Sequence, residues 1–180
     1  MRFWLVIFLL TVPVVGSLAS TGNLEQRQVS PQYLRKEAFE PVPGFNVALI
    51  VTPGDEFDRI FNSPPDNRPD FTRVDVLKIG DQVELHVIFT NPLVDENNFA
   101  DVTFDAKIIK PGKEVKSYSG LEGVTGKLQK SSTNAYLARA FLRLKADNSD
   151  PIGEWNILIT IHDNKRQSSI SDSVKIIFVR

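Results

Sequence analysis

The chain has no cysteine and only two histidines, His86 and His162. Any acid–base or metal chemistry must therefore be built around these imidazoles and nearby carboxylates. Glu84 stands two residues before His86, which puts the two side chains on one face of an extended segment. A carboxylate–imidazole pair can move a proton or hold a metal only with a further convergent group. Val83, Leu85, Val87 and Phe89 alternate with Glu84, His86, Ile88 and Thr90, so His86 falls on the outward register of a strand. His162 falls outward too, opposite Ile157, Ile159 and Ile161 in alternation. There is no cysteine nucleophile and no Gly-x-Ser-x-Gly elbow. The expectation is no catalytic residue, no cofactor and no metal.

Two acidic loops deserve the same test. Asp95-Glu96-Asn97-Asn98, with Asp101, and Asp147, Asn148 and Asp150 offer oxygen ligands, but neither has the spacing or central glycine of an EF-hand. Such residues form tight turns by bonding their own backbone, and that role is expected here. A carbohydrate platform would need exposed, coplanar aromatic side chains. Beyond residue 19 the chain has one tryptophan, Trp155, on the same face as the three isoleucines, and three tyrosines, Tyr33, Tyr118 and Tyr136. Trp155 is therefore read as core.

The elements that carry these residues read as strands and turns. Phe45 to Val51 is a compact apolar segment, and Asp55 to Asn62 fits one short helix with Phe57, Ile60 and Phe61 on one side. Ser63 to Asp70, with three prolines, must be an irregular crossing. Val74 to Lys78 leads through Gly80-Asp81 into the strand of His86, and Asn91-Pro92 ends that strand. A further strand alternates Val102, Phe104, Ala106 and Ile108. Val115 to Leu121 and Val124 to Gln129 are weaker candidates, interrupted by glycines. Tyr136 to Lys145 reads as one long strand. Asp150-Pro151-Ile152-Gly153-Glu154-Trp155 is a tight corner into the strand of His162, and Ile170 to Val179 closes the fold. Regular alternation with turns between strands predicts an all-β, two-sheet sandwich of about seven or eight strands with one short helix near its start, and the Gly153-x-Trp155 corner resembles the entry into a late strand of immunoglobulin-like sandwiches.

Composition bounds the setting. Arg2, the apolar run Phe3 to Val15, and small residues at Ser17 and Ala19 read as a signal peptide over 1–19, cleaved before Ser20. The run is shorter than the ~20 residues a bilayer span needs, so no stable membrane span is expected after its removal. Export without cysteine or an Asn-x-Ser/Thr site points to a bacterial periplasmic or secreted protein. Residues 20–44 read as a polar, proline-rich linker, and 45–180 as the sandwich domain. A net charge of −1 speaks against nucleic acid as a partner. Charge is uneven along the chain: residues 20–106 hold fifteen acids and seven bases, while 107–145 hold nine bases and two acids. Lys107, Arg139, Arg143 and Lys145 are thus a candidate basic face, set against the simpler expectation of basic strands packed beside acidic ones.

Three stretches, Gly80-Asp81-x-Val83-x-Leu85, Lys110-Pro111-Gly112-Lys113 and Asp150-Pro151-x-Gly153-x-Trp155, resemble macroglobulin-type and other bacterial immunoglobulin-like domains over roughly 74–180. The resemblance implies a sandwich in which the strands of Asp105, Leu158 and Ile177 are neighbours. No thioester motif is present, so protease trapping does not carry over. In that order Ile109, Leu158, Ile177 and Val179 share the outward face and form a candidate partner-contact surface, unless the N-terminal segment or the Asp55–Asn62 turn covers it. The reading is a non-enzymatic exported module that binds or helps assemble another envelope protein. The alternative is a sandwich that binds a carbohydrate or an anionic envelope polymer. Deleting residues 20–40 is expected to leave the domain folded with a small loss of stability, and a large fall in Tm of that variant would show that the segment docks on the sandwich.

Overall fold

The computed structural model describes residues 28–29, 44–54, 56–61, 71–129, 132 and 134–180. The apolar run at 1–19, nearly all of the stretch at 20–44 and the crossing at 63–70 lie outside them. The strands are β1 (Gln28–Val29), β2 (Asn46–Pro53), β3 (Val76–Lys78), β4 (Gln82–Thr90), β5 (Phe99–Ile109), β6 (Val115–Lys127), β7 (Ala135–Leu137), β8 (Leu142–Lys145), β9 (Gly153–Asp163) and β10 (Ser168–Val179). One helix, α1 (Glu56–Phe61), follows β2. Among the described residues no helix is long and apolar enough to cross a membrane.

Two five-stranded sheets form an all-β sandwich. One runs β1–β7–β4–β2, with β8 also paired to β4, and the other runs β3–β10–β9–β5–β6. The strands of Asp105, Leu158 and Ile177 are neighbours as expected, in the order of an immunoglobulin-like fold. The larger strand count arises because β1 and β3 are only two and three residues long and because one expected strand is split.

The core lies between the sheets. Trp155, Ile157, Ile159 and Ile161 of β9 point inward and are buried beside Val102, Phe104, Ala106 and Ile108 of β5. Full burial of each such side chain is worth about 1.5–3 kcal/mol. Trp155 stacks on Phe178 at 4.1 Å, donates its ring N–H to Pro151 O at 3.0 Å, and lies under the Lys110 ammonium at 4.6 Å. Gly153 supports the entry corner at φ +124°, a conformation side chains rarely adopt.

Two expected elements differ in the structure. The glycine-interrupted pair at 115–129 is one long strand, β6, whose pairing with β5 shifts twice. The shifts are bulges rather than breaks, and Gly123 permits one close approach, since a Cβ there would lie 2.7 Å from Val102 O. Conversely, Tyr136 to Lys145 is not one strand. Between β7 and β8 the chain leaves β4: Ala138 N–H still bonds Val87 O, but Arg139 and Ala140 donate to Gly123 O and Glu122 O of the other sheet. The segment stitches the two sheets together along one side. Within the expected linker, Gln28 and Val29 add a short rung to β7.

The inward register of Trp155 leads to a direct expectation. Trp155→Ala should cost roughly 3–5 kcal/mol by urea unfolding, because it removes the ring that Phe178 and Lys110 both pack against. A change below about 1 kcal/mol would mean that the surrounding end of the sandwich closes over the loss.

Candidate binding surface

The two histidines end in opposite environments. His86 is on the outer side of β4, as its register required, but that side is not open to water. Phe57 of α1 stacks on the imidazole at 3.7 Å, Phe71 stacks on Phe57 at 5.1 Å, and Phe141 also stacks on His86, at 5.0 Å. Glu84, also buried, lies 3.2 Å from His86 Nε2 and accepts two bonds from Arg143, at 3.0 Å from Nε and 2.6 Å from Nη2. The His86 hydrogen bond is the largest influence on Glu84, and with Arg143 it holds the carboxyl below its ordinary value against the opposing effect of burial. Thr52, directly opposite Glu84 on β2, is also buried. The cluster is sealed under α1, where it fastens the helix to the sheet.

His162 is on the outer face of the other sheet. Its Nδ1 lies 2.7 Å from Ser169 Oγ and its Nε2 lies 3.3 Å from Asp105 Oδ2. The three residues have the composition of a hydrolase triad, but they lie on the solvent side of a flat sheet. The Gly120 N–H that reaches the cluster goes to Asp105 Oδ1 at 2.8 Å, so it does not serve as an oxyanion donor. Thr160 and Ser171 continue the same cross-strand polar pairing at 2.9 Å. The carboxylates of the acidic loops are engaged in turns, as expected. Asp95 accepts from Asn97 N, Phe99 N and Lys165 Nζ, and Asp147 accepts from the N–H and hydroxyl of Ser149.

The candidate contact residues share the outward face without forming one patch. Leu158 is flanked across the sheet by Lys107 and Ser173, and Ile109 is separated from Lys175 by Asn156. Polar rungs therefore divide the apolar positions. Ile177 is different, because its partner on β3 is Val76, and the two are 45% and 49% exposed. Val179 follows on the same face beside Lys78, and Ile79, also exposed, succeeds β3. This edge adjoins a shallow cleft lined by Pro53, Val74, Leu77 and Val83. The Asp55–Asn62 segment does not cover this face, because α1 packs with Ile88, Ala135 and Leu137 on the β4 sheet; the alternative cover, by Leu34 and Phe39 of the N-terminal segment, lies outside the described residues. The basic residues do not share a face either. Lys107 lies on the outer side of β5 in one sheet, while Arg143 and Lys145 lie on β8 in the other, and Arg139 pairs with Glu122 at 2.6 Å on the seam.

Val76 and Ile79 were legible only as a short apolar lead into β4. Their exposure depends on β3 joining β10 in parallel at the rim of the sandwich, a long-range pairing that no local pattern specifies.

No protein-family model and no curated protein matches the chain. Solved structures resemble it distantly. A family 123 glycoside hydrolase from Clostridium perfringens matches over 74% of this chain at 12% identity and TM-score 0.43, and the match spans only 27% of that enzyme. A Niemann-Pick type C2 protein from Japanese carpenter ant matches over 75% of this chain and 91% of its own, at 11% identity and TM-score 0.40. An immunoglobulin-like protein from Pseudomonas aeruginosa matches over 76% of this chain and 97% of its own, at 7% identity and TM-score 0.30. These likenesses concern β architecture and transfer no activity.

The Glu84 cluster gives a pH dependence whose sign is fixed. A carboxyl with a lowered folded-state pKa contributes stability that is fully present above its unfolded value and is lost as pH falls through the folded one. Acid unfolding should therefore be shallower in Glu84→Gln than in the native chain. At neutral pH that variant should lose less than the roughly 3–5 kcal/mol of a fully buried pair, since Arg143 keeps partial contact with water. Urea midpoints measured from pH 7 to pH 3 check both points, and parallel curves for the two proteins would refute the assignment.

Proposed function

We propose that this chain is an exported, non-enzymatic sandwich module that binds another protein of the cell envelope. The observation that carries the reading is the Val76–Ile177 pair, two apolar side chains facing water directly opposite each other beside the Pro53–Val83 cleft. Contiguous apolar surface at the rim of a sandwich is costly to leave in water and marks a contact site. Export rests on the N-terminal apolar run. That Lys107, Arg139, Arg143 and Lys145 do not share a face weakens the anionic-polymer alternative, and among the described residues Trp155 and Tyr136 are buried while Tyr118 is half-buried, which weakens a sugar platform.

The test is capture from envelope extracts of the same organism by the immobilised chain, with identical beads screened against a glycan panel. Ile177→Lys should leave near-ultraviolet circular dichroism unchanged and weaken capture by about 2 kcal/mol, as loss of an interface anchor does. Leu158→Lys, placed between Lys107 and Ser173, should change capture little. Glycan retention without any captured protein would support the carbohydrate alternative instead.

A further inference from the structure

Strand β10 is paired on both sides only at its end. On the β3 side the ladder covers Ile177 to Val179, while β9 pairs with β10 from Ser168 to Phe178. Ile177 donates its N–H to Asp75 O on the β3 side. Strand alternation then directs the N–H groups of Ser169, Ser171, Ser173 and Lys175 to that same edge. Among the described residues none of these four meets a backbone acceptor. Ser173 N–H is instead held by the side chain of its neighbour, Asp172, at 2.8 Å.

Asp172 is itself out of pattern. It pairs with fully buried Ile159 and so stands in the inward register, between Ile170 and Val174. Yet it is exposed, and Ile170 and Val174 are only partly buried. Asp172 therefore reaches water at the rim, although β2 of the other sheet runs close to β10 on this flank. No base pairs with Asp172 among the described residues. A strand laid on the edge would cover the carboxylate, and covering an unpaired charge is costly.

We infer that the free edge of β10 docks an extended segment of a partner protein that carries a lysine or arginine opposite Asp172, with apolar side chains two residues to either side. This rests on the protein-binding reading and specifies the partner's chemistry. Main-chain bonds to the four edge amides supply affinity, and Asp172 supplies selection by exchanging the Ser173 N–H for the incoming cation. A second copy of this chain does not fit. An aligned β10–β10 pair sets Asp172 against Asp172, and a shift of two residues sets it against Ile170 or Val174 without a base.

The test is residue-resolved amide exchange by NMR on the full chain. The probe is a short synthetic peptide alternating threonine with valine, lysine and valine, and the control has glutamate in place of the lysine. The lysine peptide at saturation should slow exchange of Ser169, Ser171, Ser173 and Lys175 by about tenfold or more, and the glutamate peptide should not. Asp172→Lys should reverse that preference, which separates charge selection from a general loss of fold. Edge amides already protected without peptide would show the edge to be covered, and equal protection by both peptides would remove the role of Asp172. Protection that grows with protein concentration alone would assign the edge to a second copy. Any of these overturns strand docking even if capture through Ile177 persists. Loss of all protein capture would instead overturn the broader reading.

Discussion

Strand β4 is buried on both of its faces, and the rest of the molecule is arranged around that constraint. Val83, Leu85, Val87 and Phe89 enter the core, while Glu84, His86, Ile88 and Thr90 on the other side are buried as well. A two-sheet sandwich normally leaves the second side to water. Here it holds a carboxylate and an imidazole, whose burial is tolerable because the two are paired, while the buried Thr52 hydroxyl opposite Glu84 has no hydrogen-bond partner. Glu84 receives His86 and Arg143, and Phe57 and Phe141 both stack on the imidazole. Helix α1 is only six residues long and has little stability of its own. It persists because Phe57 and Ile60 are buried and because Phe57 packs on the ring that Glu84 orients.

The same economy of polar groups operates at the ends of the sandwich. Asp163, fully buried at the end of β9, accepts the N–H of Leu93 and two bonds from Arg166, whose guanidinium also reaches Asn91 O. One carboxylate thus ties the β4–β5 connection to the β9–β10 hairpin. At the opposite end Lys110, also buried, is held by Asp150 and lies over Trp155. A lysine in this position is stable because its charge is paired and its stem lies on the indole face. With the Ala138–Ala140 stitch along one side, these contacts close the core at both ends and along one flank. On the β10 flank β2 lies close to β10, but among the described residues no hydrogen bond or ion pair joins the two strands.

Much of this architecture was legible in the sequence because alternation is a local property. The β9 stripe of Trp155 and three isoleucines needed only a period of two and a corner with glycine at a fixed place. What alternation cannot state is what lies against the outward positions. Glu84 and His86 read as solvated because their register was polar, whereas a helix inserted after β2 returns to cover them. The basic run over 107–145 misled for a related reason. The run begins on β5 and β6 of one sheet and ends on β7 and β8 of the other, so Lys107 and Arg143 lie on different sheets although they are near in sequence. The glycines of β6 looked like breaks because a bulge and a turn use the same residue types, and only the partner strand distinguishes them. Of the contact residues read from sequence, all four share the predicted face, but their grouping depends on cross-strand neighbours. Only Ile177 gains an exposed apolar partner, in Val76.

The two sheets therefore present unlike outer surfaces, and this asymmetry bears on how such a module can recognise anything. The β4 sheet carries a helix, which buries the outer side of its central strand. The β9 sheet offers a broad face, but one where hydroxyls and charges already bond across strands, as in Thr160–Ser171, His162–Ser169 and Lys175–Glu154. A ligand landing there would exchange satisfied contacts for similar ones and gain little. The rim differs because apolar side chains and main-chain groups without a backbone partner occur there together: Val76 and Ile177 beside the cleft, and the edge amides of β10 a few residues away. Apolar burial and new hydrogen bonds would then form in a single contact, a combination neither sheet face provides. If this module recognises an extended chain, its edge is thus the place where such a contact would gain most, and Asp172, a charge in an otherwise apolar register, would bias that edge toward basic segments.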